Sequence, residues 1–105
     1  MLIFNKHNLY YTDYSWNDYV TNDPKISGKL DNTMFNRNEG LEVIYIINKM
    51  IQLWDFTKME SCTKMERIIR EKLPKSISTQ EETAIWIQIN WRDIDFRDEK
   101  KKLSA

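Results

Sequence analysis

Glycine, proline, cysteine and histidine are all scarce in this chain of 105 residues, and each scarcity closes off something. Two glycines, Gly28 and Gly40, leave no Gly-rich loop to cradle a phosphate. One cysteine, Cys62, forbids an internal disulfide and makes a reducing, cytoplasmic setting the default. With His7 as the sole histidine, no Cys/His cluster with zinc spacing can form, and no G-x-S-x-G or H-E-x-x-H occurs. A Cys–His nucleophilic pair would have to join Cys62 to His7. Cys62, however, falls on the apolar face of a helical segment, where a buried structural thiol is the simpler reading.

Net charge is missing too. Sixteen basic residues balance sixteen acidic ones, which argues against a chain whose main partner is bulk nucleic acid or an anionic membrane. The longest apolar run is interrupted by Asn48, Lys49 and Gln52, so no membrane span is expected. The opening MLIFNKHNLYY has no basic stretch followed by a long apolar one, and no secretion signal is expected from it. Only two alanines occur among many Ile, Asn and Lys, a usage that AT-rich coding yields and that accessory proteins of phages and mobile elements share.

What is present is hydrophobic periodicity. In NRNEGLEVIYIINKMIQLWDF (residues 36–56), Val43, Ile44, Ile46, Ile47, Met50, Ile51, Leu53 and Trp54 fill one half of a helical wheel. A face that wide touches two neighbours, so this is read as the central helix, about 36–55. Asn36 is its expected N-cap, with Glu39 completing a capping box. Gly40 costs about 1 kcal/mol against Ala in a helix interior, a sign that another segment passes close to the backbone.

A second helix is read from Lys58 to Leu73, opened by a Thr57-x-x-Glu60 box and stopped by Pro74, with Met59, Cys62, Met65, Ile68, Ile69 and Leu73 inward. No Gly or Pro separates it from the first, so one bent helix is an open alternative. The third segment, residues 80–91, is ambiguous: Ile85, Ile87, Ile89 and Trp91 alternate as in a strand. The Ser78-x-x-Glu81 box and the Gln-Glu-Glu first turn favour helix. Such a helix would be apolar nearly all round, and must be buried on two sides or meet a partner.

The fold expected is therefore mainly α, a single-domain three-helix bundle around the central helix with an aromatic-rich N-terminal arm that is irregular or briefly β. Residues 1–96 form the domain (arm and polar loop 1–35, helical core 36–91), and 97–105 are a charged tail. Asp93 and Asp95 with Asp98 and Glu99 could be imagined around a metal, but a solvated charged tail accounts for them, and no metal or cofactor is expected. Glu39 and Glu42 read as cap and surface charge rather than catalysts.

By elimination, the function expected is non-enzymatic binding of another protein by an inhibitor or adaptor-like chain. The contact residues would be Tyr14, Trp16 and Tyr19 of the arm, with Lys29, Asp31, Arg37 and Asn38 of the polar loop and helix mouth. Tyr and Trp flanked by small polar residues recur at binding hot spots, although a small domain can equally use them to complete its core. The alternative is weak nucleic-acid binding through Lys64, Arg67 and Arg70. Residues 57–76 carry six basic residues against three acidic ones, but the third helix offers Gln80, Glu81 and Glu82 first and would read DNA poorly.

Overall fold

A computed structural model describes residues 2–96. Among them the chain is mainly helical, with three α-helices and no strand: α1 (Gly40–Trp54), α2 (Met59–Arg67) and α3 (Gln80–Asn90). The tail 97–105, with Asp98 and Glu99, lies outside the described residues. No described helix is long and apolar enough to cross a membrane.

The apolar periodicity of α1 becomes the core. Val43, Ile46, Ile47, Met50 and Ile51 are buried at the i, i+3, i+4, i+7, i+8 positions of one stripe. Cys62, Met65, Ile68 and Ile69 pack against that stripe, as do Ala84 and Ile87 of α3. Phe4 closes the cluster from the N-terminal side at 1% exposure. Asn48 of α1 fastens it there: its Oδ1 accepts from the Phe4 N–H at 2.9 Å and its Nδ2 donates to the Phe4 carbonyl at 2.7 Å. Leu53 departs from the expected face and is 64% exposed.

The helix starts differ from the expected ones. Asn36 does not cap α1; its side chain accepts from the Asn38 N–H at 2.9 Å, a local Asx turn, and Glu39 supplies the cap by accepting from the Glu42 N–H at 2.9 Å. A glutamate reaching back over one turn satisfies a free amide as Asn would, and its charge suits the positive end of the helix dipole. The Gly40 N–H donates to the Ser15 carbonyl at 2.9 Å, so the arm completes this helix start.

α1 and α2 are separate helices. Asp55 adopts the left-handed conformation at φ 58°, which Asp tolerates better than most residues, and the Phe56 N–H returns to the Ile51 carbonyl at 3.3 Å. α2 begins after Lys58 without a side-chain cap, so the expected Thr57 box does not form. It continues into a π-helical turn (Ile68–Lys72) closed by the Leu73 N–H on the Ile68 carbonyl at 2.8 Å, just before Pro74.

Residues 80–90 are helix, with Thr79 rather than Ser78 as cap: its hydroxyl accepts from the Glu82 N–H at 3.2 Å. The polar loop supplies the other acceptors that this helix start needs. The Gln80 and Glu81 N–H groups donate to the Thr33 and Asp31 carbonyls, each at 2.9 Å. Gln80 itself, 1% exposed, donates its side-chain amide to the Pro24 and Lys25 carbonyls. One buried glutamine thus shapes the loop from its middle.

Candidate binding cleft

Three buried carboxylates tie the aromatic arm to the helices. Glu66 of α2, with no exposed surface, accepts from the Tyr10 N–H at 2.7 Å, the Tyr11 N–H at 3.2 Å and the Tyr14 hydroxyl at 2.6 Å. Glu39 accepts from the Asn17 N–H at 2.9 Å. Glu42, expected at the surface, is 3% exposed and accepts from the Tyr19 hydroxyl at 2.7 Å and the Asn36 N–H at 3.1 Å. A buried carboxylate is tolerated only when such donors replace water. The consequence for the tyrosines is electrostatic. Burial, together with the hydrogen bond to Glu66, pushes the Tyr14 hydroxyl far above its ordinary value, and burial with the bond to Glu42 moves Tyr19 up to about 12.

The expected contact residues therefore divide. Tyr14 is 7% exposed and belongs to the core. Trp16 is 39% exposed and lies over the start of α1, where a Cβ built on Gly40 would come within 2.4 Å of its ring. That close approach is the reason a glycine stands there. The Lys6 ammonium covers the same indole at 4.5 Å.

Arg37 is half-buried and turned inward, donating from Nη1 to the Ile69 and Leu73 carbonyls at 3.2 and 2.5 Å and from Nη2 to the Pro74 carbonyl at 2.9 Å. It closes the carbonyl end of the π turn, as a cation at a helix C-terminus should. Burial lowers its pKa, and no carboxylate pairs with it among the described residues. Lys29, Asp31 and Asn38 are exposed; Asp31 holds a tight turn by accepting from the Thr33 N–H at 2.8 Å.

Where these pieces meet, a cleft of about 670 Å³ opens. Asn17 and Tyr19 of the arm form one wall, Lys25, Met34 and Phe35 of the loop another. Asn36, Arg37, Asn38 and Glu42 form the base at the mouth of α1, and Arg70, Lys75, Ile77 and Ser78 the far side. The cleft brings Tyr19, Arg37 and Asn38 together; Trp16, Lys29 and Asp31 do not line it. Arg70, expected only for the nucleic-acid alternative, also lines it; Lys25, Met34, Lys75 and Ile77 were not among the expected contact residues, since four separate segments converge only in three dimensions.

The residues of the nucleic-acid alternative are engaged within the chain. The Lys64 ammonium donates to the Trp91 carbonyl at 2.7 Å and covers that ring at 4.3 Å. Arg67 pairs with Glu71 at 2.8 Å and stacks on Phe96 at 4.0 Å. Arg70 Nη2 contacts both carboxylate oxygens of Asp13, at 2.9 and 2.8 Å, and its guanidinium lies over Tyr11 and Tyr14. That pairing holds the Asp13 carboxyl below the usual carboxylate range. His7 is exposed in a short 3-10 turn, whereas Cys62 is fully buried and its thiol is pushed up by burial.

Comparison with family models, with curated proteins and with solved structures finds no match. The functional reading rests on the geometry alone.

The opposite end of the molecule has a different character. Trp54, Phe56 and Trp91 meet edge to face or tilted, with centroids 5.9 and 5.2 Å apart, beside Ile89 at 71% exposure. They line a second, more apolar hollow of about 500 Å³ with Gln88, Arg92 and Asp93. The all-round apolar pattern of α3 was the sequence signal for this end: Ala84 and Ile87 face the core, and Ile85 and Ile89 face outward.

Proposed function

We propose that this chain is a small non-enzymatic protein that binds another protein, as an inhibitor or adaptor-like accessory of a phage or mobile element. In this reading the three helices act as a bundle around α1, and the aromatic arm is a half-buried strap that finishes one wall of the binding cleft. The observation that carries the proposal is the cleft itself: Tyr19, Arg37 and Asn38, drawn from the arm and the helix mouth, share one concave surface with Met34 and Lys25. Tyr19, Phe35, Met34 and two arginines around a partly apolar hollow are residue types enriched at protein interfaces. Among the described residues nothing covers Met34, an apolar side chain 61% exposed on the rim.

The test uses the exposed rim, where substitution spares the fold. Met34→Asp and Asn38→Arg should leave far-UV circular dichroism and the unfolding midpoint unchanged. Both should abolish co-purification of a partner from the native host. Partner recovery identical to wild type for both variants would remove the cleft as the contact surface.

A further inference from the structure

From the charge of this cleft we infer that its partner presents an acidic segment with an apolar side chain beside the carboxylates. The inference rests on the protein-binding reading and adds the chemistry of the ligand.

Four cations line the cleft (Lys25, Arg37, Arg70 and Lys75) against the single carboxylate of Glu42. Arg70 is paired with Asp13, and even with Asp13 counted two positive charges remain in excess. Tyr19 and Asn36 hold the two oxygens of Glu42, and its negative charge is already counted against that excess.

Two features of the arginines leave this excess uncompensated among the described residues. Arg37 is desolvated without an acidic partner among the described residues; three carbonyl dipoles satisfy its donors but do not neutralise its charge. Arg70 Nη1 is buried and has no hydrogen-bond acceptor. That N–H lies under the Tyr11 and Tyr14 rings, so the cleft meets Arg70 as a positive charge rather than through this donor. Lys25 and Lys75 stand exposed at the rim, where they would steer an acidic chain inward.

The apolar lining separates a peptide from a bare phosphate. Met34, Phe35 and Ile77 lie among the cations, and Met34 is 61% exposed. A phosphate or sugar-phosphate backbone has no group for that surface, whereas an acidic segment with a Leu or Phe fills it while its carboxylates meet the cations. The α1 start adds nothing for an anion, since Ser15 and Glu39 already take the N–H groups of Gly40, Glu42 and Val43.

The experiment is fluorescence anisotropy on the full chain with three labelled probes. They are a short Asp/Glu-rich peptide with a central Leu, its Asp→Asn, Glu→Gln counterpart, and a single-stranded oligonucleotide. The acidic peptide should bind, weaken as salt rises, and lose about tenfold in affinity with Lys25→Glu/Lys75→Glu. Lys29→Glu, outside the cleft lining, should change it much less. Equal binding of acidic and neutral peptides, or no effect of the double reversal, overturns the inference, as does tighter binding of the oligonucleotide. If a host partner still co-purifies with Lys25→Glu/Lys75→Glu but not with Met34→Asp, the acidic-segment inference falls while the protein-binding reading stands. If Met34→Asp and Asn38→Arg change nothing while the acidic peptide binds through Lys25 and Lys75, the ligand chemistry stands and the partner-contact reading falls.

Discussion

The two ends of this molecule solve the same packing problem with different chemistry. At the mouth of α1, the arm, the polar loop and the π turn are held by directional bonds to the buried Glu39, Glu42, Glu66 and Gln80 and to the half-buried Arg37. At the other end, Trp54, Phe56 and Trp91 meet through ring contacts and leave Leu53 and Ile89 in water. Apolar contact is non-directional and roughly proportional to area, so that end can tolerate changes of shape and side chain. A buried carboxylate with three donors tolerates almost none. The mouth is therefore the pre-organised surface, and pre-organisation is what a specific binding cleft needs.

Substitution should break this contrast most sharply at Glu66. Glu66→Ala leaves the Tyr10 and Tyr11 amides and the Tyr14 hydroxyl without their acceptor, and should cost about 3 kcal/mol or more, read as a lowered urea midpoint. It should also release the arm, seen as faster amide exchange over 10–19 than in α1. An arm that stays protected would mean that aromatic burial alone holds it.

Arg37→Met keeps the apolar stem and removes the donors to three carbonyls. A loss of about 2 kcal/mol is expected, with the π turn fraying before α1 in hydrogen exchange.

Alkaline pH is expected to act next, through the tyrosines of the arm. Burial and bonds to Glu71 and Glu42 move Tyr11 and Tyr19 from 10.0 up to about 12, and Tyr14 shifts in the same direction. Folded values above the unfolded one mean that the stabilisation is complete below pH 10 and is lost as pH rises through the folded values. The urea midpoint should therefore fall between about pH 10 and pH 12, with tyrosinate absorbance near 295 nm appearing together with unfolding. Ionisation of Tyr14 or Tyr19 in the folded state at the ordinary pH, read in a Tyr10→Phe background, would contradict the buried-carboxylate account.

The smallest effect belongs to the apolar end. Leu53→Ser and Ile89→Ser, at side chains 64% and 71% exposed, should each change stability by less than about 0.5 kcal/mol. A larger loss would show that these residues are covered in solution.

The sequence was legible wherever a pattern is local. The α1 stripe, its end at Asp55, the stop before Pro74 and the helical character of 80–90 follow from periodicity and from the Gly, Pro and cap residues that interrupt it. The caps were read from local spacing, and there they slipped: Asn36 turned into an Asx turn, and Thr79 displaced Ser78. Asn36 was taken by a local bond to the Asn38 N–H, whereas at the third helix the distant Thr33 and Asp31 carbonyls took the first amides. The cleft was only partly legible. Tyr19, Arg37 and Asn38 lie on it, and Arg70 was read only for the nucleic-acid alternative, but Lys25, Met34 and Lys75 come from segments without any motif.

By itself, then, the sequence determined which faces are apolar, because a helix of given period can bury only one arrangement of side chains. It also determined that a zinc site of Cys and His ligands and a glycine-rich phosphate loop are absent, because the residues are absent. Tertiary structure alone decided which charges are buried. Glu42 read as surface charge and no local pattern marked Glu66 as buried; donors from Tyr10, Tyr11, Tyr14 and Tyr19 of the arm, with the Asn36 N–H, make their burial affordable. A carboxylate goes inside only when donors distant in the chain replace its water, and no local pattern records where those donors will come from.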